Sequence, residues 1–159
     1  MDINEASPWF AKQFDVEQAC ARGELEATEL LMFYGVPLLL TTDGGSMTLT
    51  SQEQVLAVVQ QQIDELRADD YAHTEVLDFE VIPLNATSDL YRGAFARRRN
   101  DGTEIARLGA TYMAADGPDG RRISALALHS PHWQLRKTES TRTSIEKLTK
   151  NRLDNYHSA

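Results

Sequence analysis

The sequence predicts an α+β protein in which a curved antiparallel sheet wraps around helices, and three observations predict it. From His73 to Ser130, four β-type segments are separated by Asn85-Ala86-Thr87-Ser88-Asp89, Asn100-Asp101-Gly102 and Asp116-Gly117-Pro118-Asp119-Gly120. Such short turns join antiparallel neighbours, because a parallel return needs a crossover of about a dozen residues or more. Ahead of this meander stand helical segments and one Asp43-Gly44-Gly45 hairpin signal. With 42% hydrophobic and 25% charged residues, a chain of 159 residues is long and apolar enough for one domain with its own core.

Ser7-Pro8 reads as an N-cap followed by proline at the first helical position, where its missing N–H costs nothing. Phe10, Phe14 and Glu17-Gln18 continue at helical spacing to Arg22-Gly23, a C-terminal stop. A second helix is expected from Glu24 to about Tyr34, with Ala27, Leu30, Leu31 and Tyr34 on one stripe and Glu24, Glu26 and Glu29 near its positive end. Gly35 and Pro37 end it. The segments 38–42 and 46–50 flank Asp43-Gly44-Gly45 as a hairpin. Ser51-Gln52-Glu53-Gln54 then fits a capping box. The helix it opens carries Val55, Val58 or Val59, Gln62 or Ile63, and Leu66 on one face, and runs to about Asp69.

The side chains also set a register for the meander. If Asp101-Gly102 forms the tight turn, Arg99 faces Glu104, Phe95 faces Leu108 and Tyr91 faces Tyr112. One face then holds Leu77, Phe79, Val81, Tyr91, Phe95, Leu108, Tyr112, Leu126 and Leu128. The other holds Asp78, Glu80, Arg92, Ala94, Arg107, Gly109, Thr111, Ala125, Ala127 and His129. A slip of one residue would exchange the two sets, so the coherence of the apolar set supports the register. After Pro131 the chain turns polar, and a C-terminal helix is expected over 138–156, with Ile145, Leu148, Leu153 and Tyr156 as a sparse stripe.

Charge narrows the function classes. Residues 1–80 hold 16 acids and 3 bases, whereas residues 81–159 hold 8 acids and 13 bases. Acidic helices packed beside basic strands account for this asymmetry. A nucleic-acid module would carry a basic patch interleaved with stacking aromatics, but Arg97-Arg98-Arg99 is the one basic cluster and strand alternation divides it between two faces. No nucleic-acid partner, cofactor or metal is expected. His129 and His132 lack the further ligands at fixed spacing that a metal site needs, and Gly44-Gly45 lacks the strand–loop–helix context of a phosphate cradle. The apolar run 30–40 is interrupted by Gly35 and Pro37 and falls short of the ~20 residues of a membrane span. Cys20 has no second cysteine with which to pair. With no basic leader followed by an apolar run at the start, the expectation is a cytoplasmic protein.

The order helix, helix, hairpin, capped helix, meander resembles the nuclear transport factor two-like superfamily, whose cone-shaped members include SnoaL-like cyclases and ketosteroid isomerase-like enzymes. The likeness is carried by Phe33-Tyr34-Gly35-Val36-Pro37 leading into Leu38-Leu39-Leu40-Thr41-Thr42-Asp43-Gly44-Gly45, then by Thr48-Leu49-Thr50-Ser51-Gln52-Glu53-Gln54-Val55, then by the meander. It spans about residues 8–133, which divides the chain into a cone domain at 1–133 and a C-terminal helical extension at 134–159.

The resemblance implies a pocket inside the cone. Its ligand-binding residues are expected to be Tyr34, Phe79, Tyr91, Phe95 and Tyr112, with the three tyrosine hydroxyls converging on one cavity. The apolar sheet face offers no Asp or Glu, which speaks against the carboxylate base and acid of ketosteroid isomerase. Asp78, Arg92 and Arg107, which could imitate the Asp–Arg–Asp set of epoxide hydrolase-like members, fall on the outer face. The leading expectation is therefore binding of a small, mostly apolar molecule in the cone cavity, without established catalysis. The alternative is an isomerase, cyclase or dehydratase acting on a polyketide- or steroid-like substrate, and a titratable group on the cavity wall would favour it. Finally, Ala94, Gly109, Thr111, Ala125 and Ala127 form a low-relief strip on the outer face, flanked by Met113, Ile123 and Ile82. Small residues there, with charges beside them, predict a homodimer through that face.

Overall fold

The computed structural model describes residues 2–131. The expected C-terminal helix, the boundary at 133/134, His132 and Trp133 lie outside the described residues. A single-turn helix, α1 (Ile3–Ala6), precedes α2 (Pro8–Ala21). The Ser7 hydroxyl caps α2 by accepting from the Phe10 N–H at 3.2 Å. Phe10, Ala11, Gln13, Cys20 and Ala21 are its buried residues; Gln13 follows Phe10 by about one turn and Cys20 follows Gln13 by about two, which marks the face turned to the core. Arg67 of α3 (Gln52–Ala68) donates to the Cys20 carbonyl at 3.0 Å and the Leu25 carbonyl at 3.2 Å, tying α3 to the end of α2 and the segment after it. Cys20 is fully buried, and burial pushes its thiol up, as befits a core residue.

The second expected helix is a 3₁₀ segment, Ala27–Phe33, and not an α-helix to Tyr34. Its buried residues, Ala27, Leu30 and Phe33, recur every three positions. Three residues per turn brings that set into line, as 3.6 would not. Tyr34 turns extended (φ −106°, ψ 133°) and begins β1 (Tyr34–Thr42), which starts four residues ahead of the expected Leu38. Pro37 has no N–H for a ladder, and the pairing of β1 is irregular between Tyr34 and Leu39. At the start of α3 the Ser51 hydroxyl accepts from the Gln54 N–H at 3.2 Å, and Gln54 Oε1 reaches one residue further back than a capping box requires, to the Thr50 N–H at 2.7 Å.

The remaining strands are β2 (Gly45–Leu49), β3 (Tyr71–Pro83), β4 (Ser88–Arg99), β5 (Glu104–Gly117) and β6 (Gly120–His129), in one sheet of order β2-β1-β6-β5-β4-β3. All neighbours are antiparallel except β1 and β6, which pair in parallel after the long excursion through α3 and the meander. Tyr91 faces Tyr112 and Phe95 faces Leu108, as the sequence predicts.

Three irregularities correct the details. The β4–β5 loop has four residues, 100–103, with Gly102 at φ +87° and the Arg99 N–H donating to the Thr103 carbonyl at 2.9 Å. Arg98 therefore faces Glu104, and a shift between Arg97 and Arg98 restores the expected pairing beyond it. A shift between Val76 and Asp78 leaves Leu77 out of the ladder and exposed, so Val76 takes its inner place opposite Phe95. A shift between Met113 and Ala114 pairs Ile123 with Ala114, and both are fully buried. Ile123 thus belongs to the core and does not flank the outer strip.

The strip is also less open than expected. Ala94 is buried within the single chain, and a Cβ at Gly109 would meet the His129 ring at 2.5 Å and the Ser130 carbonyl oxygen at 2.7 Å. The end of β6 therefore folds over Gly109. On the inner face Gly93 is covered in the same way by the Phe95 ring, which stands inside contact distance of a hypothetical Cβ. Gly93→Ala should lower the free energy of unfolding by about 1–3 kcal/mol, since the buried ring must leave its rotamer. Urea denaturation checks this; an unchanged midpoint would show that Phe95 does not hold that position.

Candidate functional site

Between α2, α3 and the inner sheet face the chain leaves a cavity of about 80 Å³, partly open to solvent. Its apolar wall comes from Val55, Val58 and Val59 of α3, Leu38 and Leu40 of β1, and Phe95, Leu108, Leu126 and Leu128 of the meander. Sheet curvature and the valine face of α3 together create this room, because short branched side chains stand opposite the concave face.

The polar groups arrive from three directions. Tyr34 enters from β1, Tyr112 from β5, and Arg97 from β4; strand alternation sends Arg97 inward while Arg98 pairs outward with Glu75 at 2.9 Å. Glu17 enters from α2 and stands 3.9 Å from the Arg97 guanidinium, both side chains being about four-fifths buried (19% and 18% exposed). The carboxylate accepts from Gln13 Nε2 at 3.2 Å on one oxygen and from Gln62 Nε2 at 3.5 Å on the other. Gln13 is fully buried, and its Oε1 has no hydrogen-bond partner. Gln18 uses both ends of its amide, accepting the Thr74 N–H at 2.9 Å and donating to the Phe14 carbonyl at 3.5 Å.

Burial pushes both cavity phenols up. For Tyr34 the nearby Glu17 charge adds to the effect, against a hydrogen bond with Gln13; for Tyr112 Glu17 and Tyr34 add to it, against Arg97. Both hydroxyls therefore stay protonated as donors.

Of the residues the sequence nominates, Tyr34, Phe95 and Tyr112 line the cavity, whereas Phe79 and Tyr91 do not. Their rings stack on Phe10 at centroid distances of 5.2 Å and 4.9 Å and fill the other part of the cone. The Tyr91 hydroxyl is taken by Arg121 at 2.7 Å, and the Ser7 hydroxyl donates to it at 3.4 Å. Arg121 also holds Asp116 at 2.9 Å and pairs with Asp89, so this end of the sheet is tied shut. Tyr34 and Tyr112 line the cavity and Tyr91 does not, since β4 places Tyr91 within the Phe10 stack.

Glu17 escapes a reading of the sheet face because it stands on the helix opposite, and Arg97 because it is the charged residue at the end of an otherwise apolar inner row. The signal was present: Phe10, Gln13, Phe14 and Glu17 share one helical face. The outer-face candidates form other contacts. Arg92 lies 3.8 Å from Glu80 and donates to the Thr111 hydroxyl, which pairs with His129 at 2.8 Å, while Arg107 pairs with Glu104. Among the described residues no three His, Cys, Asp or Glu gather as metal ligands, and no helix is long and apolar enough to cross a membrane.

A six-stranded curved sheet closing on helices around such a cavity is the NTF2-like, cystatin-like cone. The chain belongs to the NTF2-like protein family DUF6841, whose model matches residues 4–131. It is similar to an NTF-2-like protein of unknown function from Shewanella oneidensis, at 14% identity and a TM-score of 0.57, over 77% of this chain and 98% of the other. It is similar also to the yeast UBP3-associated protein BRE5, at 13% identity and a TM-score of 0.59, over 81% of this chain and 96% of that one. A ketosteroid isomerase-like protein from Shewanella frigidimarina matches at 9% identity and a TM-score of 0.53, over 74% and 89%. At these identities the likeness is one of fold. No curated protein matches the chain.

The two enclosed phenols make a pH prediction. Ordinary tyrosine ionises near 10, and both phenols resist this more in the folded chain than in the unfolded one. The stability they confer is complete below about pH 10 and is lost as pH rises toward their folded values. Urea midpoints should fall more steeply above about pH 10 for the wild type than for a Tyr34→Phe/Tyr112→Phe variant. Identical slopes would show that these phenols are accessible.

Proposed function

We propose that the cone cavity receives a small, mostly apolar molecule and that the protein acts through this binding. The observation supporting it is the cavity: an aliphatic chamber held open in an interior that otherwise packs densely, with Tyr34, Tyr112, Glu17 and Arg97 gathered as orienting groups. An engineered apolar cavity of ~150 Å³ holds one benzene, so a chamber of about 80 Å³ suits the head and first carbons of a ligand. A second reading, an isomerase, cyclase or dehydratase on a polyketide- or steroid-like substrate, is favoured by one observation. Glu17 puts a carboxylate on the cavity wall beside two neutral phenol donors, the pairing that proton transfer next to a carbonyl requires.

Two variants separate these readings. Ala110, buried on the cavity wall, becomes a plug as Ala110→Leu. This variant should abolish the NMR shifts that cyclopentane causes in the wild type while leaving the fold intact. If cyclopentane leaves the wild-type spectrum unchanged, the binding reading fails. Glu17→Gln should cut any turnover of a ketone substrate by about 10²–10⁴-fold if Glu17 transfers protons; unaltered turnover would exclude the enzymatic reading as stated.

We also propose that two copies pair through the outer sheet face. Across it, pairing aligns Leu39, Ala125, Met113, Leu90 and Ile82 in one apolar row spanning five strands, with Leu39 and Met113 exposed. The adjacent row contains Glu80 and Arg92, opposite charges that a two-fold axis can match reciprocally. Sedimentation at micromolar concentration should give a dimer for the wild type and a folded monomer for Met113→Glu. A wild-type monomer would defeat the proposal.

A further inference from the structure

We infer that the polar end of the cavity selects an uncharged head group bearing a hydrogen-bond acceptor and a donor on neighbouring atoms, a carboxamide or lactam. It should do so in preference to a carboxylate, an amine or a plain ketone. The inference rests on the cavity being a binding site, as proposed above.

The Glu17–Arg97 pair carries the argument. At 3.9 Å its charges offset one another, yet the atoms stand beyond hydrogen-bond distance. Among the described residues no hydrogen bond uses the Arg97 guanidinium, although it offers five N–H donors in a planar fork. Glu17 Oε1 receives only the long 3.5 Å contact from Gln62, so it retains room for another donor. Each partner thus lacks what the other kind of ligand atom supplies: Arg97 an acceptor, Glu17 a donor.

Charge then excludes the simpler ligands. A carboxylate would satisfy Arg97 but bring a second negative charge beside Glu17 in a largely buried site, and an amine would do the reverse. A ketone accepts from Arg97 or Tyr112 and leaves Glu17 facing alkyl groups. A carboxamide places oxygen and N–H on one carbon and bridges the gap with one hydrogen bond to each side. Gln13, which does not line the cavity, donates to the other Glu17 oxygen and so holds the carboxylate in place without occupying Oε1. The alkyl part then lies along Val59, Leu108 and Leu126.

Four nearly isosteric probes test this: isobutyramide, isobutyrate, isobutylamine and methyl isopropyl ketone, titrated by NMR at neutral pH, with cyclopentane as the apolar reference. Isobutyramide should bind about tenfold more tightly than the other three, the worth of one added hydrogen bond to a charged group. In Glu17→Gln, which preserves side-chain volume, the advantage of the amide over the ketone should fall several-fold, with circular dichroism verifying the fold. Ketone or isobutyrate binding as tightly as the amide would overturn the inference. So would an amide preference that survives Glu17→Gln unchanged. If cyclopentane binds and no head group is preferred, the inference fails and the cavity reading stands. If no probe binds, cyclopentane included, the cavity reading itself fails.

Discussion

The arrangement of this cone depends on how Phe10 docks helix α2 onto the sheet. Its ring stacks on Phe79 and Tyr91 and meets Tyr112 edge-on at 5.0 Å, while Trp9 beside it packs on Phe33 and Tyr91. Offset and edge-to-face contacts of this kind fix orientation as well as burying area. The cluster fills one part of the concave face. Because Glu17 follows Phe10 by seven residues, it stands about two turns, ~10 Å, along the helix, and it enters the part left unfilled. One aromatic anchor thus decides where the interior is solid and where it is hollow.

The division of charge along the chain is resolved at the same place. Acidic α2 lies against basic β4, and the Glu17–Arg97 pair is the point where they meet inside the cone. The other ion pairs among the described residues lie nearer the surface or tie turns together, as Arg121 does with Asp89 and Asp116. Exposed pairs contribute little to stability. The interior pair differs because its partners are largely removed from water without making a direct hydrogen bond, so the open capacity of both groups faces the cavity.

Much of this was legible in the sequence for a physical reason: strand alternation has a period of two, and one register satisfied both the aromatic and the small-residue sets. That fixed Tyr91 against Tyr112 and the outer placement of Arg92, Thr111 and Ala127. What escaped was local departure from periodicity. Leu77, Ile123 and the Arg98–Glu104 pairing each sit at a bulge, where an extra residue reverses the faces without a distinctive sequence mark. The Ala27–Phe33 segment reads equally well as an α stripe until the three-residue burial period is seen. The site was half legible: Phe95 and Tyr112 came from the sheet pattern and Tyr34 from its place just ahead of the first hairpin, whereas pairing Glu17 with Arg97 required knowing which turn of α2 faces which end of the sheet.

The central claim is that the space beside Tyr112 is a real void able to admit a guest. Crystals pressurised with xenon test it most directly, since xenon enters apolar cavities and makes no demand on hydrogen bonding. The account predicts a xenon peak among Val59, Leu126 and Tyr112, with the Phe10 stack unchanged and free of xenon. No peak there, with side chains occupying the space, would contradict it.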